Sequence, residues 1–166
     1  MKEPKNQGPV ARPQGPVGKT RARAIRDFKD LIVWQRAMDA AAEIYRLARK
    51  LPREEFFALG DQLRRAAVSI PSNIAEGFGR SSKKDYAKFL VMARGSAYET
   101  ETQLLLCVRV RHLSEEDIQQ ALSLLREVGR MLNALSSKIR AEGAILRTGD
   151  WHLAPGDCFD GVIQSI

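Results

Sequence analysis

Basic side chains gather where two amphipathic stretches of this chain meet. Arg64 and Arg65 lie on the first of them, Arg80, Lys83, Lys84 and Lys88 crowd the connection, and Arg94 follows on the second. Cations collected at one end of a helical assembly contact phosphates and release counterions, which gives sequence-independent, salt-sensitive binding of a polyanion. The plainer reading is a solvated face ion-paired to Glu76, Asp85 or Glu99. Lys83 and Lys84 fall at a predicted helix start, where positive charge opposes the dipole, so they serve something other than helix stability. Arg21, Arg23 and Arg26, near the end of a basic N-terminal stretch, would extend the reach of such a surface.

Little else in the chain has the spacing that chemistry requires. The two histidines, His112 and His152, have no partner at metal-ligand spacing. Glu76, Glu99 and Glu101 lack the histidine three residues on that di-metal carboxylate helices use, and read as salt-bridged helix faces. No GxxxxGK[ST] or GxGxxG loop is present, and Gly77-Phe78-Gly79 reads as a chain reversal. Cys107 and Cys158 are far apart in sequence, so neither a disulfide framework nor a zinc site is expected. The expectation is a protein with no catalytic residues, no metal and no cofactor. An enzyme built on an unusual carboxylate or arginine site is the weakest alternative. No apolar run reaches the roughly 20 residues that cross a bilayer, and the Pro-rich N-terminus does not read as a secretory signal, so a cytoplasmic location is expected.

The elements that must position these cations are legible as apolar seams. Tyr86, Leu90, Ala93, Ala97, Thr100, Leu104 and Cys107 alternate steps of four and three, as do Ile118, Ala121, Leu125, Val128, Leu132, Leu135 and Ile139. Leu63, Ala67, Ile70 and Ile74 form a third seam, with Pro71 predicted to bend or break its helix. Leu31, Trp34, Met38, Ala41, Tyr45 and Ala48 form a fourth. Asp30 is expected to cap the first helix. Ser82 with Asp85, and Ser114 with Asp117, read as capping boxes for the last two. Gly77 and Gly79 are expected to end the second, and the mid-helix Gly95 demands a close approach that offsets its cost of about 1 kcal/mol. Short connections at 52–58, 78–81 and 109–113 make successive helices antiparallel, so the predicted fold is all-α, an up-down-up-down four-helix bundle.

The 166-residue chain is 44% hydrophobic, enough for one core. Residues 1–26 read as a disordered basic arm, 27–142 as the bundle and 143–166 as an irregular C-terminal segment. The formal charge of +7 is concentrated in the arm, which carries +6 and leaves +1 for the remainder. Attraction for polyanions must therefore come from the arm or from local clustering.

Three segments carry a family resemblance: Phe28 to Met38, Gln62 to Gly77, and Ala93-Arg94-Gly95-Ser96 with Glu99. In that order they resemble the bacterial four-helix bundle proteins first noticed as reading frames in intervening sequences of 23S ribosomal RNA genes. That family is related to the accessory variability determinant of diversity-generating retroelements. The resemblance implies a homopentameric barrel without catalytic activity. In the retroelement branch it implies partnership with a reverse transcriptase and its template RNA or RNA/DNA hybrid. It carries recurrent basic positions over to Arg64, Arg65 and Arg94, and structural ones to Pro71, Gly77 and Gly95. The alternative within the same family is a protein-interaction scaffold that does not touch nucleic acid.

Overall fold

The structure, a computed structural model, describes residues 25–145. Most of the arm and nearly all of the C-terminal segment lie outside the described residues. Every element within them is helical. A 3-10 turn at Phe28–Asp30 leads into α1 (Ile32–Ala48), the single-turn α2 (Arg53–Phe56) precedes α3 (Leu59–Phe78), and α4 (Lys83–Arg109) and α5 (Glu115–Ile145) follow. No strand occurs among the described residues. No helix there is long and apolar enough to cross a membrane.

The four long helices share one core because each turns a three-four seam inward. α1 packs on α3 and α5, and α4 packs on the same two helices. All seven positions of the α4 seam and all seven of the α5 seam are buried, including Thr100, whose hydroxyl donates to the Ser96 carbonyl at 2.8 Å. Thr100 is thus polar in name but satisfied within its own helix, so it interrupts the seam at little cost. Cys107 is fully buried, and burial pushes its thiol pKa upward, as suits a small core residue.

The first helix differs from expectation. Leu31, Ala41 and Ala48 are buried, but Met38 and Tyr45 are exposed and Trp34 is only half-buried. The inward face is instead Val33, Ala37, Ala40, Ala41, Ile44 and Leu47. Alanines at three of these positions let α1 lie close to its neighbours, and the bulkier Trp-Met-Tyr stripe is rotated outward.

Local signals explain the helix ends. Asp117 donates its backbone N–H to Ser114 Oγ at 3.1 Å, and its carboxylate accepts the Ser114 N–H at 3.1 Å, a complete capping box. Ser82 caps α4 through the Asp85 N–H, but the Asp85 carboxylate is held by Lys88 at 2.8 Å. Asp30 does not cap α1. Its carboxylate accepts the N–H groups of Arg26 and Asp27, closing a capping box with Asp27 around the 3-10 turn. α4 ends with Arg111 at φ 64°, where its N–H bonds to Val108 and that of His112 to Cys107, a Schellman motif built on a non-glycine residue.

Proline and glycine also depart from expectation. α3 runs through Pro71 unbroken, with Pro71 buried. Gly79 caps the end of α3 as expected, and Gly77 is the next-to-last residue of the helix. A Cβ there would stand 2.7 Å from Phe89 Cβ and 2.9 Å from Tyr86 Cδ2, so glycine is what lets α4 approach α3. The close approach expected at Gly95 does not occur within the chain: a Cβ there meets nothing within 4 Å.

Candidate nucleic-acid interface

The helix packing carries several chain segments to one end. Ile25, Leu31, Met131 and Leu135 line a common pocket, Phe28 shares a groove with Ala75, and Gly77 abuts Tyr86 and Phe89. The start of α1, the end of α3, the start of α4 and the last turns of α5 are therefore neighbours. Residue 25, where the described chain begins, lies there too.

The predicted cations divide by environment. Lys84 is exposed and has no ion partner among the described residues. Lys88 is exposed and pairs with Asp85 at 2.8 Å, a hydrogen bond that holds the Asp85 carboxyl below its usual pKa. Arg80 pairs with Glu76, and its guanidinium stacks over the Phe89 ring at 4.7 Å from the centroid. Lys83 is half-buried at the helix start, and Arg26 is exposed at the root of the arm. Arg21 and Arg23 lie outside the described residues. These exposed i,i+3 and i,i+4 pairs are worth only tenths of a kcal/mol in water, so a phosphate can displace the carboxylate.

Three predicted positions sit apart from this group. Arg64 is largely buried: one guanidinium nitrogen donates to the Phe56 carbonyl at 2.8 Å and to Asp61 at 2.5 Å, with the Phe56 ring 4.5 Å away. It straps the single-turn α2 onto α3. Arg65 is exposed near Leu106 and Val110 between α3 and α4. Arg94 donates to Asn133 on α5, tying two helices together midway along their length.

Sequence reasoning passed over Lys138 and Arg140, which lie within two turns of Leu135 and so stand at the same end as Lys84 and Lys88. Their charges are 50 residues from the α4 cluster in sequence, and only the return of α5 joins them. The signal was available in the short connections, which bring the last helix's C-terminus back beside the first helix's start. Among the described side chains at this end, Arg26, Lys29, Arg80, Lys83, Lys84, Lys88, Lys138 and Arg140 stand with Asp27, Asp30, Glu76 and Asp85. At the other end Arg49, Arg53, Arg109 and Arg111 meet a similar number of carboxylates, among them Glu54, Glu55, Glu115 and Glu116.

The carboxylates do not form a site. Glu76 pairs with Arg80, Glu101 lies 3.8 Å from Arg126, and Glu99 accepts from Gln103. Among the described residues no group of His, Cys, Asp and Glu could hold a metal ion.

The pattern that defines 23S rRNA-intervening sequence proteins matches residues 29–134. The chain belongs to that family. The match ends within α5 and leaves out the basic arm, so the 23S rRNA-intervening sequence protein pattern covers the four-helix core and little beyond it. A solved structure from the S23 ribosomal protein family, a protein of unknown function from Bacteroides thetaiotaomicron VPI-5482, matches with a TM-score of 0.60 at 25% identity. The match covers 63% of this chain and 98% of that one. No curated protein matches the chain.

Proposed function

We propose that this 23S rRNA-intervening sequence protein is a non-enzymatic, cytoplasmic nucleic-acid-binding accessory: an up-down-up-down four-helix bundle, assembled as a homopentameric ring, that binds RNA or an RNA/DNA hybrid. Its protein partner in this reading is a reverse transcriptase, as in the related retroelement branch. The observation that carries the reading is the gathering of Lys84, Lys88, Arg80, Lys138 and Arg140 at the end where the described chain begins. A near-neutral core then needs no net charge of its own, because its surplus is local and adjoins the arm's +6. Arg64 and Arg94 act in this reading as struts that hold the scaffold, and Arg21, Arg23 and Arg26 supply further phosphate contacts.

Fluorescence anisotropy with a labelled RNA, titrated with salt, tests it. Affinity should fall steeply as salt rises, and Lys84→Gln with Lys88→Gln should reduce the slope by about one to two counterions. An affinity unchanged between low and moderate salt overturns the phosphate mechanism. Removing residues 1–26 separates the scaffold alternative: binding to a co-encoded polymerase should survive while RNA affinity drops. Loss of neither points to the scaffold.

A further inference from the structure

Two contacts fix the register of the last two helices. Arg94 donates to Asn133 and Glu101 faces Arg126, so the antiparallel α4 and α5 advance by the same seven residues between contacts. Carried on, that register sets Lys88 level with Ile139, Lys84 level with residue 143, and the Ser82 cap level with Ile145, where α5 ends. α5 thus ends beside the start of α4, among Arg80, Lys83, Lys84 and Lys88. Lys84 has no ion partner among the described residues. The carboxylates on Lys88 and Arg80 belong to pairs about half exposed to water.

The sequence that follows α5 carries the opposite charge. Residues 146–166 hold Asp150, Asp157 and Asp160 against the single Arg147. Aromatic residues accompany these carboxylates: Trp151 follows Asp150, and Phe159 stands between Asp157 and Asp160. Carboxylate and ring are the two groups that the start of α4 already sets against its cations, with Asp85 on Lys88, Glu76 on Arg80, and the Phe89 ring centroid 4.7 Å from the Arg80 guanidinium.

We propose that residues 146–166 fold back onto the start of α4 of their own chain and occupy its cations as an internal substitute for a polyanion. The length suffices. The five residues from Ile145 to Asp150 span up to about 16 Å, and packed helix axes lie about 8–10 Å apart. Lys84 and Lys88 stand only about 3 and 9 Å along α4 from the level at which α5 ends. A tethered segment of this kind is presented to the surface at roughly millimolar effective concentration, enough for individually weak pairs to fill it. A long polyanion still displaces it, because many phosphates bind together and release their counterions. The segment therefore raises the threshold for binding and rejects short or sparse anions. What it competes with rests on the function proposed above. The contact itself does not.

Cys158, between Asp157 and Phe159, supplies a native handle for the test, since Cys107 is fully buried. A short thiol–amine cross-linker, added to the full chain at low salt and followed by mass spectrometry of the digest, should join Cys158 to Lys84 or Lys88. The product should keep the 18.6 kDa mass of one chain. Moderate salt should lower its yield several-fold, and so should Asp150→Asn combined with Asp157→Asn and Asp160→Asn. The same triple variant, with unchanged helical circular dichroism, should bind a labelled RNA about three- to tenfold more tightly than wild type at low salt. Asp157→Asn alone repeats both comparisons should the triple variant lose its helical signal. Attachment chiefly to lysines away from this end, a product of doubled mass, or a yield indifferent to salt and to the aspartates overturns the inference. Equal RNA affinity of the two proteins overturns the competition. Cross-linking as expected, with no RNA bound by either protein, upholds the contact and overturns the polyanion reading instead.

Discussion

Alanine at Gly77 and alanine at Gly95 should move stability in opposite directions, although both replace a glycine inside a long helix. At Gly95 the substitution gains about 1 kcal/mol from helix propensity and from the reduced freedom of the unfolded chain, and at Gly77, the next-to-last residue of α3, it gains less. At Gly95 nothing opposes the gain, since the new Cβ meets no atom within 4 Å. At Gly77 the new Cβ falls 2.7 Å from Phe89 Cβ, an atom tied directly to the α4 backbone, and 2.9 Å from the Tyr86 ring. Neither neighbour can swing away, because Tyr86 is 1% exposed and packed edge-on to Phe78, so α3 and α4 must separate by several tenths of an ångström. Such overpacking costs about 1–3 kcal/mol. Urea unfolding followed by circular dichroism, with both variants at one protein concentration, compares the two on the same footing. Gly95→Ala should raise the midpoint, Gly77→Ala should lower it, and the slopes should agree. Equal shifts of the same sign would refute the argument that close helix approach at residue 77 is what requires glycine.

Two further outcomes follow from local geometry. Arg111→Gly should stabilise the fold by about 0.5–1 kcal/mol in the same urea assay, because the left-handed backbone at φ 64° strains an L side chain and suits glycine. A loss of stability would show that the Arg111 side chain makes a contact worth more than the strain. Asp117 governs part of the acid limb: the Lys50 ammonium, at 2.5 Å, and the Ser114 N–H and hydroxyl hold its carboxyl at about pKa 2. A carboxyl depressed in the folded state contributes stability that is fully present above its unfolded value near 4 and is lost as pH falls toward 2. Asp117→Asn should therefore flatten the fall in stability across that window and leave the profile above about pH 5 parallel to wild type. An acid limb of unchanged steepness would remove Asp117 from the account.

The parts of the fold that were legible in the sequence are those where only one apolar pattern exists. α5 has a single seam, every position of which is buried, and its Ser114–Asp117 start is written in four consecutive residues. Pattern and cap agree there, so nothing competes with the correct reading. α1 carries two overlapping seams, and periodicity has no means of choosing between them. The larger side chains, Trp34, Met38 and Tyr45, suggest the core, yet the alanine-rich seam is the one that lets helix backbones approach. The cation-rich end was half legible: Arg80 to Lys88 cluster in sequence, but Lys138 and Arg140 join them only through the path of α5.

Three of the misread positions lie on outward faces of the helices. Met38 and Tyr45 border a groove between α1 and α3, and Gly95 lies on the exposed side of α4. A helix that serves one core needs one apolar face, and polar residues then occupy the rest. α4 and α1 each carry a second one, and a single copy of the chain gives it nothing to cover. Apolar side chains spent on an uncovered face oppose solubility and do nothing for the monomer, so a chain that keeps them in helical register on two sides is patterned for more than its own interior.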